Sequence, residues 1–300
     1  MVGGLPAAGF DNPFGFFWTT PALRDPTHNT HRGSGRSYAG SHQRAWLWGR
    51  HAVQETLAAA RWPVLELFTS DVLATDVLQS LRQTAVRLSV PLQQVSSARL
   101  EQLCRQPDHQ GVAARMGEFP LESAADLAVA LREASNTTAA PLFVMLDRIQ
   151  DPWNFGAILR CCDAVRASGV VIGASSQSAV TPHVARASSG AVNHLRIFQT
   201  PDLVQTASLF RQGGFRIAAA SEKSPELLWN TSLAGPLVLL IGSEAVGVAP
   251  ELLACSDVQA AIPMLGSITS LNAAVAAGIL LYECRRQSGI STAERSCAHR

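Results

Sequence analysis

Leu237-Val238-Leu239-Leu240-Ile241-Gly242-Ser243-Glu244-Ala245-Val246-Gly247 is the stretch whose reading decides the fold. Five consecutive apolar residues that stop at a glycine predict a strand buried on both faces, as in a parallel sheet covered by helices. Gly242 lets the backbone turn sharply or approach a ligand closely. Downstream, a second apolar run ends in Ile262-Pro263-Met264-Leu265-Gly266, and Ser270-Leu271-Asn272 opens an alanine-rich helix. In open α/β sheets ligands sit beyond the carboxyl ends of the strands, so two strand ends spilling into glycine-containing loops predict one cofactor site over Gly242, Ile262 and Leu271. Ser270 is the expected N-cap of the closing helix, with Asn272 aimed at whatever occupies the helix N-terminus. Ala273, Ala274, Ala276, Ala277 and Gly278 leave one helix face without bulk. Glycine inside a helix costs about 1 kcal/mol relative to alanine, so Gly278 predicts close packing of another backbone; an ordinary buried helix is the plainer alternative.

A chain of 300 residues suggests about two domains, each long enough to bury a core. With 47% hydrophobic and 16% charged residues the composition is that of a soluble globular protein. No run approaches the roughly 18 apolar residues of a membrane span. A net charge of +1 argues neither for nor against nucleic acid. The basic residues are arginines apart from Lys223, and arginine is the better phosphate-binding and base-stacking side chain. Cys104, Cys161, Cys162, Cys255, Cys284 and Cys297 form no C-x-x-C pair and no Cys/His zinc spacing, which predicts a reduced, cytoplasmic setting and no structural metal. Residues 1–44 are rich in Gly, Pro, Ser and His and lack periodicity, so they are expected to form a disordered tail. A targeting peptide is the alternative, although Asp11 and Asp25 interrupt its sparse arginines.

Along the chain, residues 45–118 predict a small α/β domain. Its helices are expected over 51–61, 72–88 and 98–105, and its strands over 64–68, 91–95 and 111–116. Residues 119–140 predict a linker with a helix over 121–134. Residues 141–288 predict a second domain with strands at 142–146, 170–172, 195–198, 215–219, 237–241 and 259–262, mostly with helices between, hence a mainly parallel sheet. Residues 289–300 read as a flexible tail.

A dinucleotide fold would place G-x-G-x-x-G after its first strand. Here that strand ends at Asp147 and is followed by Asp151-Pro152-Trp153-Asn154-Phe155-Gly156, which is not that motif. Three motifs instead carry a resemblance, in order and with correct separation. They are Asp151-Pro-x-Asn154-x-Gly156-x-x-x-Arg160, Ile241-Gly-x-Glu244-x-x-Gly247 and Ile262-Pro-Met-x-Gly266-x-x-x-Ser270-Leu-Asn272. Together they resemble the signatures of the SpoU or TrmH family of RNA ribose 2′-O-methyltransferases, within the SPOUT superfamily. Gly49-x-His51-Ala-Val53 and His109-Gln-Gly111-Val112 look like the start and end of the ribosomal-protein-like substrate-binding domain of its ribosomal RNA members.

The resemblance implies a C-terminal trefoil knot, S-adenosylmethionine bound bent within it, a homodimer, and RNA as partner, with a guanosine ribose of large-subunit ribosomal RNA as the target. It implies Gly242, Ile262 and Leu271 as cofactor contacts, with Met264 and Gly266 nearby. Asn154, Arg160, Glu244, Ser270 and Asn272 carry over as the catalytic set. Ala245 departs from the family's glycine and tightens that loop. Methyl transfer to a 2′-hydroxyl needs a weak nucleophile held at attack distance and relieved of its proton. A guanidinium is always protonated, so Arg160 is expected to stabilise developing negative charge while a phosphate oxygen or water takes the proton. Plain structural roles stand beside these: Asn154 as a helix N-cap, Arg160 paired with Asp163, Glu244 bonded to loop amides, and His51 and His109 as turn organisers; Arg186, on a loop or helix start, reads either as facing RNA or as surface charge. Methylation of transfer RNA and a non-catalytic RNA-binding assembly factor are the alternative functions.

Overall fold

The uninterrupted apolar runs become the central strands of a parallel sheet. In the computed structural model, which describes residues 46–134 and 140–289, β5 (Leu142–Asp147) is buried at every position and β9 (Leu237–Gly242) at every position but its glycine. Around them stand β6 (Gly169–Gly173), β7 (Ile197–Thr200), β8 (Arg216–Ala220) and β10 (Val258–Ala260) in the order β10-β8-β9-β5-β6-β7. All the pairings in this sheet are parallel. Helices α5 (Pro152–Ala164), α6 (Pro182–Ala187), α7 (Leu203–Gln212), α8 (Pro250–Leu253) and α9 (Ala273–Gln287) complete this half. The expectations for residues 1–44, 135–139 and 290–300 lie outside the described residues.

Strand order decides where a ligand can sit. The chain runs outward from β5 through β6 to β7, then crosses to β8 and inserts β9 between β8 and β5. Loops from the two directions part at that crossing, which opens a crevice at the carboxyl ends.

The preceding half is a second sheet in the order β1-β4-β2-β3. Its strands are β1 (Trp46–Trp48), β2 (Val64–Ser70), β3 (Leu92–Val95) and β4 (Val112–Met116), with helices α1 (Arg50–Ala59), α2 (Thr75–Arg87) and α3 (Ser97–Cys104). β4 runs antiparallel to β1 and β2, whereas β2 and β3 are parallel. Helix α4 (Ala124–Ala134) follows, and just before it Glu122 bridges to Phe198 on the edge strand β7.

Two local expectations are corrected, and one strand is new. Asn272, not Ser270, caps α9: its Oδ1 accepts from the Ala274 and Val275 amides at 3.0 and 3.3 Å. A methyl group at Gly278 would meet only the Cys161 Sγ, at 3.5 Å, so a neighbouring side chain and no foreign backbone faces it. The close backbone approach between helices occurs at Gly156, where a methyl would lie 2.9 Å from the Val184 carbonyl oxygen and force α5 away from α6. Finally, Trp46–Trp48 is a strand for which no expectation was made.

Candidate active site

A cavity of about 330 Å³ opens beyond the carboxyl ends of β8, β9 and β10. Ile241, Ile262, Met264, Leu271 and Leu280 give it apolar walls, and Glu222, Lys223, Ser243, Glu244 and Ser270 bring polar groups to it. Of the expected cofactor contacts, Gly242, Ile262, Met264 and Leu271 line this one space. Gly266 does not: it is exposed, with open space where a side chain would be. A larger cleft, about 580 Å³, lies by Arg216 and Val258 at the amino ends of β8 and β10 and holds none of the motif residues.

Gly242 shapes the cavity by what passes over it. A Cβ there would overlap the Gly247 carbonyl carbon and the Val248 nitrogen, so the loop folds back onto its own strand end. Asp147 holds the loop from the other side. Its buried carboxylate accepts from the Ala249 amide at 2.8 Å and from Arg148 Nε and Nη2 at 3.0 and 2.9 Å. In the sequence Asp147 shows only as a strand end. The signal was there in an acid closing an otherwise apolar strand, since a buried carboxylate demands partners.

Asn154 is the hinge of the polar rim. Asp151 caps α5 by accepting from the Trp153 and Asn154 amides, which leaves the Asn154 side chain free for other work. Its Nδ2 donates to Glu244 Oε1, and its Oδ1 accepts from Asn272 Nδ2 at 2.9 Å. Three motifs far apart in sequence thus meet in one hydrogen-bonded chain beside the cavity. Ser270 lines the cavity as well. Arg160 sits on the exposed side of α5, makes no hydrogen bond or ion pair among the described residues, and is not part of the cavity wall.

The two sheets meet close to this rim. Trp48 Nε1 donates to Asp108 at 2.9 Å, Arg186 pairs with the same carboxylate at 2.8 Å, and the Arg186 guanidinium lies 4.5 Å from the Trp48 ring centroid. Arg186 therefore joins the halves of the chain in addition to any surface role. His183 sets its edge against Trp48 at 4.9 Å and stands 6.5 Å from Trp153. Burial, with Arg186 nearby, holds the His183 pKa below the ordinary histidine value. The Arg186 guanidinium lowers that of Asp108. His109 is buried and its Nδ1 accepts from the Gly111 amide at 3.0 Å, a turn-organising contact, while His51 is exposed.

The SpoU rRNA Methylase family model matches residues 141–282, and a model for the RNA 2′-O ribose methyltransferase substrate-binding domain matches residues 46–120. A Bacillus subtilis protein, YacO, named for the TrmH family of tRNA/rRNA methyltransferases, is 32% identical over 82% of this chain and 97% of its own. The chain belongs to the SpoU family of RNA methyltransferases. Among solved SpoU-type structures, AviRb from Streptomyces viridochromogenes with AdoMet matches at 26% identity and a TM-score of 0.66, over 81% of this chain and 89% of that one. An AdoMet-bound rRNA methyltransferase from Sinorhizobium meliloti matches at 25% identity and a TM-score of 0.68, over 81% and 87%. The mixed α/β fold with its parallel sheet, preceded by a small α/β half, is that of these SpoU enzymes.

Proposed function

We propose that the protein methylates a ribose 2′-hydroxyl in RNA with S-adenosylmethionine as donor, and that its target is a guanosine of large-subunit ribosomal RNA. The observation that carries this reading is the Asn154–Glu244–Asn272 chain bordering a cavity lined by Gly242, Ile262, Met264 and Leu271. The cavity falls in the usual range of about 300–1,000 Å³ for small-molecule sites. Its aliphatic walls suit an adenosine, and its charged rim suits an amino-acid tail. Bound there, the donor supplies a methyl group on a sulfonium.

The side chains do the rest. Asn154 and Asn272, with their amides committed to one another and to Glu244, fix the rim at which the hydroxyl is held. Ser270 adds a hydroxyl to the wall. Arg160, without an internal partner among the described residues, is assigned the RNA: it binds phosphate or the reacting oxygen and stabilises the charge that develops there, while a phosphate oxygen or water takes the proton. Gly266 is assigned to the solvent side of the cofactor loop rather than to its wall.

A homodimer accompanies this reading. Val275 and Tyr282, one face of α9, are 52% and 55% exposed, and Val246, Leu265 and Ile268 on the neighbouring loops are 68%, 98% and 73% exposed, more apolar surface than a monomer usually leaves in one region. The five cysteines among the described residues are all free, which fits a reducing, cytoplasmic setting.

The breadth of the YacO name leaves transfer RNA as the second reading. Unmodified transcripts of large-subunit ribosomal RNA and of transfer RNA, incubated with methyl-labelled donor and mapped for 2′-O-methylation, separate the two. A single labelled guanosine in the ribosomal transcript is expected. Label confined to transfer RNA would favour the second reading, and RNA binding without label would establish an assembly factor instead.

A further inference from the structure

Trp153 stands out because nothing in the fold requires it. It is 57% exposed at the first turn of α5, in the motif position between Pro152 and Asn154, where it adds no core contact. Burying a tryptophan is worth more than almost any other side chain, so leaving one in solvent beside the polar rim marks a surface awaiting a partner. Its one ring neighbour among the described residues is His183, edge-on at 6.5 Å, itself backed by Trp48 and the Arg186–Asp108 pair. That backing fixes His183 from the substrate-binding half, and His183 limits the angles open to the Trp153 ring.

The surroundings select a nucleobase as the occupant. Arg160 follows seven residues after Trp153 on the same helix, which is within about 20° of two full turns and about 10 Å along the axis, so both project from one ridge. Ala157 and Ala164 complete that ridge and leave it low. A bare aromatic face and, along the same ridge, a cation without an internal partner among the described residues match how single-stranded RNA is held: the base on the ring, the phosphate on the arginine.

We propose that Trp153 is the stacking platform for an unpaired base of the RNA substrate at or next to the reacting nucleotide, buttressed by His183. This rests on the function proposed above and assigns a specificity residue to it. The ring contributes affinity and orientation of the nucleotide, whereas Asn154 and Arg160 act on the ribose and its phosphate.

The test uses the full-length protein and the unmodified large-subunit ribosomal RNA transcript. Trp153→Ala is expected to raise KM for RNA on the order of tenfold, with a smaller fall in kcat and unchanged calorimetric affinity for S-adenosylmethionine. Trp153→Phe, which keeps a ring, is expected to recover most of that loss. The transcript should also quench the tryptophan emission of the wild-type protein more than that of Trp153→Phe. Trp229 is also exposed, but it and the other tryptophans are common to both proteins, so the difference reports position 153. An unchanged KM in Trp153→Ala, or equal quenching in both proteins, would overturn the proposal. So would dissociation of the oligomer in Trp153→Ala by light scattering, which would make the ring an interface residue. Failure of the wild-type protein to methylate the transcript at all would instead sink the proposed function, and the quenching comparison would still read the stacking.

Discussion

Asn154 uses both ends of its amide, the Nδ2 on Glu244 and the Oδ1 on Asn272. Asn154→Asp keeps the shape but turns the donor toward Glu244 into a second carboxylate oxygen, and two carboxylates sharing a site repel until one takes up a proton. This variant is expected to lose on the order of 100-fold in kcat/KM while its circular dichroism melt stays near that of the wild type, because the residue lies at the rim and not in the core. Arg160→Ala is expected to lose at least as much rate with donor affinity retained, as measured by single-turnover transfer and calorimetry; unimpaired transfer would remove Arg160 from the mechanism. These residues were legible because the three motifs name them. Which residue caps α9 was not, since Ser270 and Asn272 are equally good caps and only the path of residues 266–271 decides between them.

At the scale of elements, the loop after β9 is held from both sides, by its own overlap with Gly242 and by Asp147. Asp147→Ala removes the acceptor of the part-buried Ala249 amide and the partner of Arg148, and a buried donor without a partner costs about 1–3 kcal/mol. Thermal unfolding should register a loss of about that size, together with weaker binding of S-adenosylmethionine as the loop loosens. Replacement by Asn, which still accepts one hydrogen bond, should restore part of both. Strands β5, β6, β8 and β9 were legible to within two residues because strands buried on both faces read as unbroken apolar runs. β1 was not, since three residues, Trp46-Leu47-Trp48, show no alternation and acquire strand geometry only by pairing with β4. The start of α2 was misplaced for a related reason. Val72 and Leu73 fit the helical period, but the chain turns through Asp71–Ala74 before the helix begins at Thr75.

Across the whole molecule, the Trp48, Asp108, His183 and Arg186 cluster ties the substrate-binding half to the methyltransferase half. Its lone histidine makes that tie sensitive to acid. The folded-state pKa of His183 is depressed by burial, with Arg186 adding to it, so its contribution is fully present above the unfolded value of about 6.5 and is lost as pH falls through the folded value. Stability should therefore decline below about pH 6.5, and His183→Phe should flatten the decline in denaturant titrations across that window. A slope unchanged by the substitution would assign it to another group. None of this cluster was legible beforehand, because Trp48, Asp108 and the His183–Arg186 turn are 60 or more positions apart and none of them shows its partner in the sequence.

The most direct measurement is single-turnover transfer of labelled methyl to the unmodified large-subunit ribosomal RNA transcript, by the wild-type protein and by Asn154→Ala, each first shown by calorimetry to bind S-adenosylmethionine. The predicted result is label on one guanosine 2′-oxygen, formed on the order of 100-fold more slowly by the variant. Equal rates for the two proteins would contradict the account, since the rim built from Asn154, Glu244 and Asn272 would then not be where the hydroxyl is held.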